Sequence, residues 1–332
     1  MKPQLKSSHR AQRGVALITA MIIFALAMIL AADVVRRGFL DQRRAANVIA
    51  LDQGYEVALG AEAWAADFLA RDKRENKIDH LGEAWAQQLP PLPLDNGGTI
   101  EGRIEDMQGR YNLNNLIAAD GTPDPKEVQT LELILQYAGM ETKWAGAMAD
   151  WLDADTDPSF PDGAEDSEYT SQTPPHLAAN MAITRVSELL VLPGFGLENY
   201  RKLEPFVTAL PRSGQPTKLN VCTAPGEVLD AMLGNNERNY SQMTHADLYK
   251  RRIEVGCFPT VEDFKGNLSN DPAKQTELGK RITNSSDYFR ATVWVSIGTS
   301  ELTLYSLMHR GGSANPNGGG TVQPILRSIG TE

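Results

Sequence analysis

Asp150, Asp153, Asp155, Asp157, Asp162, Glu165, Asp166 and Glu168 lie between Lys143 and Arg185, with no lysine or arginine in between. Carboxylates this crowded repel one another unless the segment is extended into water or a hard cation neutralises them. Calcium suits such a segment, because it takes about six to eight oxygen ligands in a flexible geometry. The spacing is not that of an EF-hand. Counting from Asp153, Pro158 stands where the loop glycine belongs, Ala164 occupies the twelfth position, and Glu165 comes one place late. The plain alternative is a solvated acidic loop. Trp151, Phe160 and Tyr169 weigh against it, because solvated acidic loops rarely carry aromatic side chains.

Other chemistries have less support. The five histidines (His9, His80, His176, His245, His309) show no metal-ligand spacing, and neither a GxSxG nor a phosphate-binding glycine loop occurs. Enzymatic activity is not expected. The two cysteines, Cys222 and Cys257, are too few for a disulfide scaffold and form no zinc motif. They either pair, as an exported domain favours, or stay as two buried thiols.

These groups need a scaffold, and its anchor is legible at the start of the chain. Residues 15–32 (VALITAMIIFALAMILAA) form an eighteen-residue run with Thr19 as the only polar side chain. That is just long enough to cross a bilayer as a helix. The bland rivals are a cleaved secretory signal, ending near the LAAD at 30–33, and an ordinary signal anchor. Helical spacing continues through Val48, Leu51, Tyr55, Leu59, Trp64 and Phe68 without a proline, so one helix over 15–72 is expected. Gly38, Gly54 and Gly60 weaken it without ending it. Basic residues flank the run on both sides, so the positive-inside rule leaves its orientation open.

Four cations fall in residues 1–14, so the rest of the chain carries −14 of a total −10. An acidic body repels nucleic acid and anionic headgroups, which argues against DNA or RNA as partners. Arg13-Gly14, set between this basic leader and the apolar run, resembles the processing site of type IV prepilins and pseudopilins. The resemblance implies cleavage after Gly14 by a prepilin peptidase and N-methylation of Val15.

Beyond the helix, LPPLPLDNGG (89–98) marks a turn, and residues 99–106 alternate as a strand continued by 110–113. Residues 124–152 are helical in spacing, and an irregular acidic loop fills 153–175. Short helices are expected at 184–192 and 198–204, a strand at 218–221, and helices at 225–233 and 244–255. A hairpin turning near Gly298 closes the chain over 288–307, followed by a flexible glycine-rich loop at 311–320 and a last strand at 321–329. The expected fold class is α+β: a long N-terminal helix on an antiparallel sheet, interrupted by a mainly helical insertion. The organisation is then leader 1–14, helix 15–72, first part of the α/β domain 73–113, insertion 114–210, and the remainder 211–332.

Arg-Gly with its apolar helix, DWLDADTDPSFPDGAEDSEY, RVSELLVLPGF and KLNVCTAPGEVL together resemble the K-type minor pseudopilins of the bacterial type II secretion system. The resemblance covers nearly the whole chain. It implies a pilin-like fold with an inserted helical domain and calcium held by Asp150, Asp153, Asp155, Asp162, Glu165 and Asp166. It also implies a place at the tip of a periplasmic pseudopilus that exports folded proteins. The partners implied are the I-, J- and H-type minor pseudopilins, the inner-membrane secretion platform and secreted cargo. The location implied is the inner membrane, single-pass, with the body in the periplasm. Most pilins carry glutamate as the fifth mature residue. Here Thr19 stands there, and no acid precedes Asp33.

A rival rests on SELLVLPGFGLENYRKLEPF (187–206), whose Leu-Pro-Gly-Phe-Gly resembles a helix-hairpin-helix DNA-binding turn. Only Arg201 and Lys202 accompany it, too little positive charge for a body of net −14.

Overall fold

The computed structural model describes residues 12–331 except 96, 213, 235–238, 269–270 and 312–320. Most of the expected leader and of the glycine-rich loop therefore lies outside the described residues.

Helix α1 runs unbroken over Gln12–Glu75, with Lys73 and Arg74 in its last turn, where they complement the helix dipole. From Gly14 through Ile49 its side chains are exposed, apart from half-buried Asp33. From Gly54 onward it lies on a sheet: a Cβ at Gly54 would sit in ordinary contact, 3.7 Å from Val295 Cγ1. Ala58, Glu62, Ala65 and Leu69 recur at three- and four-residue spacing and are buried against that sheet. Ala58 packs with Val293, Val295, Leu302 and Leu304. Ala65 and Leu69, farther along, pack with Phe289, Ala291, Met308 and Trp85. Glu62 sits in this apolar stripe, where burial would raise its pKa. Hydrogen bonds from Arg327 (2.7 and 2.8 Å) and Ser306 outweigh burial and hold it below the usual range.

Strands β1 (Leu92–Leu94) and β2 (Gly98–Asp106) precede the insertion. Next come β3 (Tyr111–Asn112), α2 (Pro125–Tyr137), α3 (Lys143–Leu152), α4 (Asp166–Tyr169), a 3-10 turn (Val186–Val191), α5 (Gly196–Leu203) and β4 (Val207–Thr208). Then follow β5 (Leu219–Asn220), α6 (Gly226–Leu233), α7 (His245–Val255), α8 (Val261–Leu268), α9 (Pro272–Arg281) and β6 (Ile282–Thr283). Strands β7 (Tyr288–Ile297), β8 (Ser300–Arg310) and β9 (Val322–Ile329) complete the chain.

The main sheet is antiparallel in the order β1-β2-β7-β8-β9. Gly298, with φ 61°, turns the β7–β8 hairpin. Both edges are blunted by proline: Pro93 in β1 and Pro324 in β9 leave the ladder without a donor at those points. The expected strand at 110–113 does not extend this sheet. After Asp106 the chain makes a tight 3-10 turn, and Tyr111–Asn112 pairs instead, in parallel, with Val207–Thr208. The single helical stretch expected over 124–152 is two helices, broken where Gly139 takes φ 68°.

One hydrophobic core unites the helical lobe, from Tyr111 and Leu131 through Met148 and Phe195 to Val228, Phe264 and Ile282. It continues past residue 210, so packing joins the lobe to the segment that follows until the sheet resumes at Tyr288. Cys222 and Cys257 are joined by a disulfide within this lobe, their Cα atoms 4.5 Å apart.

The lobe leaves the sheet at Asp106 and returns at Tyr288, the end that covers Leu69 rather than Ala58. It therefore stands at the end of α1 farthest from the apolar run. Buried Asp106 ties this neck together, accepting from Asn220 (2.9 Å), Thr223 (2.6 Å) and Ser286 (2.8 Å). Burial pushes its pKa up to about 6 despite these donors.

Candidate metal centre and membrane anchor

Helix α3 buries Trp144, Ala145, Met148, Trp151 and Leu152 in the lobe, which fixes the direction of the residues between them. Asp150 thus points inward near its C-terminus. Asp153 caps the helix, its N–H on Ala149 O at 2.9 Å, and the backbone then becomes extended. The loop returns through Ser159, whose N–H donates to Asp150 Oδ2 at 2.9 Å, and Gly163, whose N–H donates to Ser159 O at 2.7 Å. A Cβ at Gly163 would overlap Asp150 Oδ2 and the Ser159 main chain, so only glycine fits. The chain next reaches Glu165, at the start of α4.

Asp150, Asp153 and Glu165 are 0, 2 and 3% exposed and offer carboxylate oxygens all within 4.8 Å of one another. Asp150 Oδ1, Asp153 Oδ1 and both Glu165 oxygens are buried without a hydrogen-bond partner. Burial, followed by repulsion from Asp155 and Asp150, raises Asp153 to about 7. Burial, followed by repulsion from Asp150 and Asp153, does the same to Glu165. Asp150 is also raised, chiefly by burial. Bare carboxylates in this state are costly unless protonated or bound to a cation.

The other three expected ligands are placed differently. Asp155 is exposed at the rim, its Oδ1 accepting the Asp157 N–H at 2.9 Å. Asp166, half-buried, accepts from Ala178 N–H at 2.9 Å and so fastens the far side of the loop. Asp162 is exposed, and its main chain lies over Gly146, so its side chain stands outside the buried cluster.

Trp151, Tyr169 and His176 pack edge-on and tilted at ring separations of 5.0–6.3 Å and form the wall beside the carboxylates. Tyr169 OH, Trp151 Nε1 and His176 Nε2 are buried without partners. The role of His176 had no signal in the sequence. Phe160, counted with these aromatics from sequence, is instead 98% exposed.

A second acidic group gives the comparison that matters. Asp72, Asp79 and Glu83 also converge within 4.8 Å, but Arg310 lies among them. Its guanidinium, fully buried, reaches Asp72 at 3.1 Å, Asp79 at 2.6 Å and Ser286 O at 2.6 Å. This group carries its own cation. Among the described residues no lysine or arginine pairs with Asp150, Asp153 or Glu165, and their donor set is all oxygen, which fits calcium rather than a softer metal.

At the other end of the molecule, Gly14 and Val15 lie inside α1, and the residues from Val15 to Ala32 form its apolar, exposed stretch. The Thr19 hydroxyl is directed at Val15 O (3.1 Å) and Ala16 O (3.0 Å). The helix-hairpin-helix-like turn is a core connection: Leu192 and Phe195 are buried, and Gly194 and Gly196 take positive φ. Glu198 in the first turn of α5 pairs with Lys202 at 2.8 Å, so one of the two nearby cations is already neutralised. The described histidines are dispersed. His80 accepts from Gly82 N–H, His309 stacks on Tyr288, and His245 lies 3.5 Å from Glu227.

Residues 109–212, the first part of the helical lobe, match the family model for type II secretion system protein K. The protein K of Pseudomonas aeruginosa is 36% identical over 318 residues, covering 91% of this chain and 90% of its own. That of Klebsiella pneumoniae is 34% identical over 316 residues, covering 92% and 94%. A chain in the crystal structure of the GspK–GspI–GspJ complex of the enterotoxigenic Escherichia coli type 2 secretion system superposes with a TM-score of 0.71 at 25% identity. The superposition covers 87% of this chain and 100% of that one. The long helix, the antiparallel sheet and the inserted helical lobe are thus a shared pilin-like architecture, and the chain belongs to the type II secretion system protein K family, the K-type minor pseudopilins.

Proposed function

We propose that the protein is the tip subunit of a periplasmic pseudopilus, held by α1 in the inner membrane until assembly, with calcium bound at Asp150, Asp153 and Glu165. The observation that carries the tip assignment is the position of the lobe. It caps the end of the sheet away from the apolar run, where a subunit stacked above would have to sit. Thr19 supports the same reading. Lacking a carboxylate within its apolar run, the subunit cannot neutralise a neighbour's N-terminal ammonium inside the membrane, where an unpaired charge costs at least about 2.5 kcal/mol. Its own Val15 ammonium, freed by a prepilin peptidase, can still receive an acid from a subunit below.

The partners that fit are the I- and J-type pseudopilins, because the superposed chain was solved in complex with both. The H-type subunit, the inner-membrane platform and the secreted proteins complete the proposed set. Site-specific crosslinking from Val15 and Thr19 in assembled pseudopili tests the assignment. Partners on the lower side only are expected, and repeats of this chain along the shaft would exclude the tip position. Intact mass should begin at N-methylated Val15, and a mature start near Ala32 would rule out pilin-type processing.

Calcium is supported by the orphaned buried carboxylate oxygens and by Arg310 serving the comparable cluster. A ligand bound only by the folded state adds about 2.7 kcal/mol at a hundredfold excess over Kd. Chelator should therefore lower the melting temperature of the chain, and an unchanged melt would leave a merely acidic loop.

A further inference from the structure

Between the apolar run and the sheet, α1 is a bare rod whose side chains are exposed through Ile49, except for Asp33, half-buried beneath its arginine partners. It carries Arg36, Arg37, Arg43 and Arg44. Residues seven apart on an α-helix differ by only about 20° in direction, so the two arginine pairs stand on one face about 10 Å apart. Asp33 alone serves both Arg36 and Arg37, each at 2.7 Å, and Asp41 lies 3.4 Å from Arg44. Arg43 has no acidic partner among the described residues. The segment 33–44 is left at +2 on a chain of net −10.

We propose that this face is a collar that binds the phosphates of anionic phospholipids in the leaflet from which α1 emerges. The inference rests on the reading of α1 as a membrane anchor. Arg36 and Arg37 lie about 6–8 Å of helix rise beyond Ala32, the depth of the headgroup layer that flanks a hydrocarbon core of about 30 Å. Helical side chains tilt toward the N-terminus, so these guanidinium groups reach back toward the bilayer. Exposed Val34, Val35, Phe39 and Leu40 lie among them and extend the apolar character to interfacial depth. Arg43 and Arg44 stand farther out, near a Debye length of about 8 Å from the phosphates. An acidic helix of a neighbouring subunit is the competing partner. The depth of Arg36 and Arg37 favours lipid, because at that level phosphates surround the helix on every side. A membrane-held body of strong negative charge is repelled by the same headgroups, so the collar and the body together hold α1 upright.

The test uses the full chain in nanodiscs containing phosphatidylglycerol or phosphatidylcholine, each with a photoactivatable headgroup, and mass spectrometry of the labelled peptides. Labelling within residues 33–47 by phosphatidylglycerol is expected to exceed that by phosphatidylcholine about fivefold, roughly the factor one basic residue near an anionic surface supplies. High salt and the combined Arg36→Gln, Arg37→Gln, Arg43→Gln and Arg44→Gln variant should bring the two lipids to parity. Lys73→Gln with Arg74→Gln, at the far end of the helix, should leave the preference intact. Equal labelling of the parent by both lipids overturns the proposal. So does a preference that survives the fourfold variant, or parity in the parent with loss of copurifying pseudopilins in the variant. Protease accessibility in spheroplasts tests the periplasmic location separately, since the nanodisc result does not depend on it.

Discussion

Replacing Arg310 by methionine keeps most of the side-chain volume and removes the charge. The guanidinium is fully buried, bonded to Asp72, Asp79 and Ser286 O, and lies 4.6 Å over the Phe289 ring. Its loss leaves two carboxylates facing each other in the core, and breaking a buried pair in this way costs about 3–5 kcal/mol. The deficit should depend on pH in a defined direction. Burial, then repulsion from Glu83 and Asp79, already raises Asp72 to about 6 with the arginine in place, above its unfolded value near 3.8. An acid raised in the native state contributes stability when protonated and loses that contribution as pH rises through its native pKa. Without Arg310, which lowers both Asp72 and Glu83, these two raised acids should shift further up. The deficit should be largest near pH 8 and shrink by about 1–3 kcal/mol at pH 5, at about 1.4 kcal/mol per pKa unit. Urea unfolding of the full chain in detergent, followed by tryptophan fluorescence, measures it, and Trp85 packs edge-on against Phe289 at 5.3 Å as a nearby reporter. A variant as stable as the parent, or a deficit that widens on acidification, would refute the reasoning.

Three other outcomes are expected. Acidification from pH 8 to 6 should stabilise the chelated protein at the loop, where Asp153 and Glu165 titrate at about 7, yet destabilise the calcium-loaded one as protons compete for the ligands; paired melts at both pH values check the crossing. Gly163→Ala should abolish the calcium-induced rise in melting temperature, because the added methyl collides with Asp150 Oδ2, while the lobe retains its helical circular dichroism. Alanine at both Cys222 and Cys257 should cost about 3–4 kcal/mol in urea unfolding, from the loop entropy of a 35-residue separation; a cost below about 1 kcal/mol would show that the bridge adds little.

Elements with strong local patterning were legible before the structure. The long helix, β2, the hairpin at Gly298 and β9 follow from periodicity, and Thr244 caps α7 as its type predicts. Helices α8 and α9 escaped, because each buries one large apolar side chain, Phe264 or Leu278, too few to set a period. Their starts did carry signals, a Thr260–Asp263 cap and an Asp271-Pro272 start, that could have been read. Strand β1 was hidden by Pro93 within it and Pro90 and Pro91 before it, and β3 is defined by pairing with Val207–Thr208, which no local pattern reports. At the acidic loop, residue type marked eight carboxylates, and the family resemblance pointed to six of them. Only the fold separates the three that α3 and Gly163 turn inward from Asp155, Asp162 and Asp166. Arg310 shows the limit most clearly. Alternation from Leu302 puts it on the inner face of β8, but its partner Asp72 lies 238 residues away.

The neck has a kinetic consequence. Strands β2 and β7 are direct neighbours, yet the whole helical lobe separates them, and Asp106 meets Ser286 across a gap of 180 residues. Joining such strands in an open chain costs about 4–5 kcal/mol in closure entropy beyond a constant term. A folded lobe removes most of that cost, because it already holds its two ends within hydrogen-bonding distance, as in the 2.6 Å bond from Asp287 N–H to Gln108 Oε1. The order of events should therefore run from lobe to sheet, with amides of α2, α3 and α6 protected from exchange before those of β2 and β7. A sheet completed last leaves α1 without its seat until the lobe is finished, so a subunit with a misfolded lobe cannot present a rigid helix for assembly.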